Sequence, residues 1–155
     1  MKRLKPIHSV LLASGCLLLL AGCDDFPADP EGTMKQVQTS GVMRTGIVSG
    51  PGVEAEERRL AARAADAAGA RPQFEEGSSE VLLRRLEKGE LDVVFGQFAK
   101  ASPMKEKAAF TASPEAKSPP SDEPVMRAAV ALGENRWLMF LSAQMKKERA
   151  DEAGS

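Results

Sequence analysis

Ser78 to Gly96, SSEVLLRRLEKGELDVVFG, limits what this chain can fold into more than any other stretch. A hydroxyl at Ser78 or Ser79 can accept from the free N–H groups of a helix's first turn, and Glu80 then sits at the positive end of the helix dipole. Val81, Leu82 and Leu86 share one helical face and Arg84 and Glu87 another, with Leu83 and Arg85 at the borders. Gly89 follows where a left-handed residue ends the last turn. Leu91-Asp92-Val93-Val94-Phe95 then runs almost without polar relief, as a strand buried on both faces does. A glycine-stopped helix feeding a buried strand is the second half of a parallel βαβ unit.

The flanking sequence extends that unit in both directions. Upstream, Gly41 to Val48 has the β-branched residues of a first strand, and Ser49-Gly50-Pro51-Gly52 makes a sharp turn. Val53 to Ala68 reads as a helix with Val53, Leu60, Ala61, Ala64 and Ala68 in a narrow apolar stripe, with Glu54 and Arg58 placed to pair and Gly69 as its stop. Arg71 to Glu75 is a short second strand that Pro72 restricts to an edge or a strand start. Gln36 to Ser40 fits no pattern clearly. Downstream, Gly96 to Lys107 reads as a loop before Ala108-Ala109-Phe110-Thr111. Residues 112–124 carry four prolines among Ser, Lys and acids and read as a flexible insert. Val125 to Leu132 is a fourth strand, Asn135 caps a last helix with Trp137, Leu138, Phe140, Leu141 and Met145 inward, and residues 150–155 form a fraying tail. The expectation is α/β: a single three-layer domain with a mainly parallel sheet over residues 41–149.

The N-terminus has a different character. Lys2, Arg3 and Lys5 precede an apolar run from Ile7 to Ala21, too short to span a membrane comfortably, which ends in Leu20-Ala21-Gly22-Cys23. These residues resemble a bacterial lipobox; a plain secretory signal or a membrane anchor is the alternative. The resemblance implies a signal peptide over 1–22, lipidation (palmitate among the acyl groups) at Cys23, and a lipidated tether over 23–40. Asp24, directly after the cysteine, resembles the sorting signal that retains lipoproteins at the periplasmic face of the inner membrane. Cleavage there removes His8, the only histidine, and Cys16. It takes 21 basic groups to 18 against 22 acidic ones, a charge of about −4. His-based catalysis and His/Cys metal sites are thereby excluded from the mature chain. Nothing in the interspersed charges points to nucleic acid.

Met43-Arg44-Thr45-Gly46-Ile47-Val48, the alanine-rich helix, Phe74-Glu75-Glu76-Gly77-Ser78, Leu86 to Gly96 and Phe110-Thr111 together resemble family 3 of the bacterial solute-binding proteins. That is the periplasmic amino-acid-receptor type, whose module also forms the N-terminal part of membrane-bound lytic transglycosylase F. The resemblance implies a domain like one lobe of a type II periplasmic binding protein. The proline-bearing insert stands where a second lobe would be, so the chain looks like a truncated, one-lobe relative. It also implies that ligands meet the loops after the first and third strands. There the chain departs from the family: the aromatic after the first strand is missing, and Gln97 to Lys105 contains no arginine to grip a carboxylate in a fork.

The candidate ligand contacts are therefore Ser49, Gly50, Gly52, Gln97, Phe98 and Ser102, with Lys100 or Lys105 as point charges. The N–H groups of Ser49 to Gly52 would suit an anion, although a purely structural turn is the simpler reading. Asp92 reads as a structural residue and Trp137 and Phe140 as core. The expected function is a membrane-anchored lipoprotein binding a small solute weakly or serving an inner-membrane transporter or envelope partner. The alternative is a structural or interaction lipoprotein with a degenerate cleft. No cofactor and no catalysis is expected.

Overall fold

The computed structural model describes residues 29–50, 54–99, 101, 103–114, 120 and 122–153. Cys23, Asp24, Gly52, Lys100, Ser102 and residues 115–119 and 121 of the proline-bearing insert lie outside them. Five strands, β1 (Val42–Val48), β2 (Arg71–Gly77), β3 (Val93–Ala99), β4 (Ala108–Phe110) and β5 (Pro124–Ala131), form one sheet in the order β2-β1-β3-β5-β4. β1 pairs parallel with β2 and β3, whereas β5 is antiparallel to both β3 and β4. Four strands thus point one way and only β5 points back, a mainly parallel α/β sheet.

Among the described residues four α-helices, α1 (Thr33–Ser40), α2 (Glu54–Ala68), α3 (Ser79–Glu87) and α4 (Asn135–Ala153), cover the sheet on both faces. On one face Leu60, Ala61, Ala64, Ala65 and Ala68 of α2 join Trp137, Leu141 and Met145 of α4 and Val37 of α1 over Met43, Ile47, Val93 and Phe95. The small alanines bring α2 close to the strands. On the other face Leu82, Leu83 and Leu86 of α3 bury themselves with Leu91, Val94, Phe98, Ala108 and Ala129. Each of those leucines contributes about 1.5–3 kcal/mol by leaving water. Val81 is half exposed and Leu83 wholly buried, so the apolar face of α3 is rotated by one position from the expected one. Ser78 caps α3, accepting from the Val81 N–H at 3.4 Å, and Gly89 stops it at φ 69°.

The ordered domain begins well before residue 41. α1 occupies part of the stretch read as tether, and its N-terminus is capped from across the chain. Glu134 carboxylate oxygens accept from Glu31 N–H at 2.7 Å and Thr33 N–H at 3.0 Å. Asp29 answers by accepting from Met34 N–H of α1 at 3.2 Å and from Trp137 N–H of α4 at 3.4 Å. The starts of two helices, about a hundred residues apart in sequence, cap each other. Burial and the neighbouring Glu134 push the Asp29 carboxyl up to about 6. Burial opposes ionisation of Glu134 too, but its hydrogen bonds with Asp29, Glu31 and Thr33 hold it below the usual range. The pair thus shares one proton in mildly acidic solution. The residue at the start of α4 that receives the first helical bond is Glu134, not the expected Asn135, and α4 runs on to Ala153 through the stretch expected to fray.

Asp92 and Trp137 are structural, as their sequence contexts suggest. The Arg44 side chain forms a forked ion pair with Asp92 and donates to the Gly89 carbonyl at 2.7 Å. Arg44 N–H donates to the same carboxylate at 2.7 Å. The buried Trp137 indole donates to the Asp92 carbonyl at 2.8 Å and stacks on Phe140 at 5.3 Å. This knot holds the start of β3 against β1 and α4.

Candidate functional site

The directions of the strands decide which residues meet. The C-terminal ends of β1, β2, β3 and β4 and the start of β5 all lie at one end of the sheet. β1 and β3 are hydrogen-bonded neighbours but are joined in sequence to helices on opposite faces, α2 following β1 and α3 preceding β3. Between diverging strands of this kind an open α/β sheet has its natural crevice. Ser49, Gly50 and Gln97 come together here, and so does the first turn of α2.

The backbone N–H groups of Ser49 and Gly50 have partners within the chain. Ser49 N–H donates to the Gly77 carbonyl at 3.0 Å, so it serves the β1–β2 ladder. Gly50 N–H points to Oε1 of Glu54 at 3.4 Å. The chain's own carboxylate thus stands where an anion was expected. Glu54 does not pair with Arg58; that arginine reaches Glu76 on β2 and lies 4.7 Å over the Phe74 ring. Gln97 is exposed. Phe98, expected as a ligand contact, is only 4% exposed and packs against Phe110 at 4.9 Å. It faces α3 because side chains alternate along β3, and β3 runs on to Ala99 instead of ending at Phe95 because β5 pairs with it there. Gly96 lets the strands close up: a Cβ there would lie 2.5 Å from Val48 Cγ2.

Two side chains at this end were missed in the sequence. Arg127, on β5, is buried; its Nε donates to the Phe98 carbonyl at 3.1 Å and its Nη1 to the Thr111 carbonyl at 2.8 Å. The loop after Gly96 holds no arginine, whereas this one arrives from a strand thirty residues on. The other is Glu57. It is wholly buried in the first turn of α2, and neither carboxylate oxygen has a hydrogen-bond partner. Burial, then repulsion from Glu54 and Glu56, pushes its carboxyl up to about 7. Its position could have been found from helix phase: it is three and four residues before Leu60 and Ala61 and seven before Ala64, all on the sheet-facing stripe.

Two concavities lie elsewhere. One of about 630 Å³ borders Lys35, Val42, Arg44 and Gln73 at the opposite end of the sheet, and one of about 290 Å³ lies between α2 and α4. Neither is at the diverging strand ends. Among the described residues no group of three or more His, Cys, Asp or Glu is placed to hold a metal ion, and no helix is long and apolar enough to cross a membrane.

These features define the fold of one lobe of a type 3 solute-binding protein. No protein-family model matches the chain, and no curated protein does. The solved structures supply the likeness. An arginine-bound domain 1 of the T. maritima arginine-binding protein, in a point mutant, is 15% identical and superposes with a TM-score of 0.65, over 76% of this chain and 98% of that one. An ancestral cationic amino acid solute-binding protein is 12% identical with a TM-score of 0.63, over 78% of this chain and 95% of that one. The fold also occurs in an enzyme lineage: an ancestral cyclohexadienyl dehydratase is 10% identical with a TM-score of 0.60, over 77% of this chain and 93% of that one. At such identities the likeness is one of fold.

Proposed function

We propose that the chain is a lipid-anchored, one-lobe solute-binding protein that takes an amino-acid-like solute where β1 and β3 diverge. The observation that carries this reading is the likeness to a single lobe that was itself solved with arginine bound. The sheet end at which Ser49, Gly50 and Gln97 meet is where an open α/β sheet would receive such a solute. One lobe covers one side of a solute and leaves the rest in water, so the affinity expected is on the order of 0.1 mM or weaker, about −5 kcal/mol. Ser102 and Gly52, which lie outside the described residues, complete the proposed contact set. No catalytic role is proposed.

The anchor is Cys23, with the protein held by Asp24 at the periplasmic face of the inner membrane beside a transporter or envelope partner. Calorimetric titration of the full chain in detergent with single amino acids tests the binding. Sub-micromolar affinity in a monomer overturns the one-sided site. Labelling with a palmitate analogue tests the anchor: incorporation that survives in Cys23→Ala, or a mature N-terminus beyond residue 23, refutes it.

The second reading, a lipoprotein whose cleft has degenerated, is favoured by two observations. Glu54 already faces Gly50 N–H, and Phe98 is turned into the core. Absence of binding by any amino acid would select it.

A further inference from the structure

We propose that the solute is an organic cation whose ammonium or guanidinium group seats against Glu57, with Glu54 beside it. This names the ligand class for the site described above and rests on that reading.

Glu57 supplies the only buried side-chain oxygens without a hydrogen-bond partner among the described residues. A buried carboxylate needs a counter-charge and N–H donors; a group carrying both satisfies it in one step. Glu57 lies on the sheet-facing stripe of α2 in its first turn, at the diverging ends of β1 and β3. Glu54, three positions earlier and thus on the same side, is only partly buried, and its 3.4 Å contact to Gly50 N–H is long enough to be exchanged for a ligand donor. The two form an inner and an outer carboxylate.

The charges around Glu57 have the right sign. Glu54 and Glu56 share its turn, and three carboxylates outweigh the half charge of a helix N-terminus. The nearby cations are engaged: Arg58 with Glu76 of β2, and Arg59 and Arg63 with Glu148 of α4. By strand alternation β1 and β3 present Ile47, Ser49, Phe95 and Gln97 to this face, none of them charged. A divalent metal would require a third oxygen or nitrogen ligand, and no such trio is arranged among the described residues. That leaves a monovalent cation with N–H donors.

The proton balance follows. Glu57 is largely protonated below neutral pH. When the cation seats, Glu57 gives its proton to solvent and the ion pair forms, so one charge enters and one proton leaves.

The experiment is calorimetry on the full chain in detergent with agmatine, L-arginine and L-citrulline, repeated in buffers of different ionisation enthalpy. Citrulline has nearly the shape of arginine without its side-chain charge. Agmatine and arginine are expected to bind at least tenfold more tightly than citrulline, with a proton released and affinity falling close to tenfold per pH unit below about 7. Glu57→Gln, which keeps the side chain's shape, should abolish both the preference and the proton release, with helix content checked by circular dichroism. Glu54→Gln should weaken cation binding while leaving the proton release in place. Equal binding of arginine and citrulline without proton release overturns this inference and leaves amino-acid binding standing. No binding of any of the three at millimolar concentration overturns both.

Discussion

Replacing Glu57 by Gln should stabilise the protein, and by more as the pH rises. An acid whose carboxyl is pushed up from 4.5 to about 7 holds its proton more tightly in the folded state than in the unfolded chain. Folding is therefore favoured most at low pH, and that advantage is lost as pH climbs from about 4.5 through 7. Each unit of difference is worth about 1.4 kcal/mol, so the wild type loses roughly 1 kcal/mol by pH 5 and about 3 kcal/mol by pH 8, relative to strongly acid solution. Gln carries no charge and has no such slope. The variant should thus gain about 2 kcal/mol on the wild type between pH 5 and pH 8, or several degrees in Tm. Urea unfolding of both proteins at the two pH values measures it. A difference that stays constant with pH would show that Glu57 is not confined as a lone buried acid, and the reasoning about its surroundings would fail with it.

Three further outcomes are expected. Asp29→Ala should cost about 1–2 kcal/mol, because it removes a cap from α1 and from α4 at once; equilibrium unfolding checks it, and an Asn in its place, which still accepts, should recover most of the loss. Gly96→Ala should cost about 1–3 kcal/mol, since its Cβ would stand 2.5 Å from Val48 Cγ2 and 2.9 Å from Val48 Cβ in the middle of the sheet; a neutral result in chemical denaturation would mean that β1 and β3 can separate there freely. Trp137→Phe should cost about 1–3 kcal/mol by leaving the Asp92 carbonyl without its 2.8 Å donor, and should speed amide exchange at the start of β3.

The parts legible in the sequence are those whose signals are local. Ser78, the leucines after it, Gly89 and the Val-Val-Phe run lie within one stretch, and the helix and strand they specify are present. α1 was illegible for the opposite reason. TMKQVQTS has no capping side chain of its own, its preceding Gly32 is left-handed, and the carboxylate that caps it belongs to Glu134. β4 is three residues long, too short to carry a period, and exists because β5 lies beside it. The site shows the same division. The placing of Ser49, Gly50 and Gln97 at one end of the sheet was legible because strand ends are local, whereas the orientation of Phe98 depends on how far β3 continues. Glu57 was hidden by chemistry: an acid among acids in a first turn reads as solvated, and only its phase with Leu60 and Ala64 tells otherwise.

The place of β5 has a consequence for how the chain is made. The last strand in sequence is not the last in space, since it inserts between β3 and β4 and supplies the partners of both. Until Pro124 to Ala131 has been synthesised, β4 has no neighbour, β3 has one bare edge, and Phe95 has no α4 above it. A chain emerging from the ribosome therefore cannot close its sheet early, and every nascent length short of the final helix remains an incomplete layer. The strand that locks the sheet together is the last one the chain supplies.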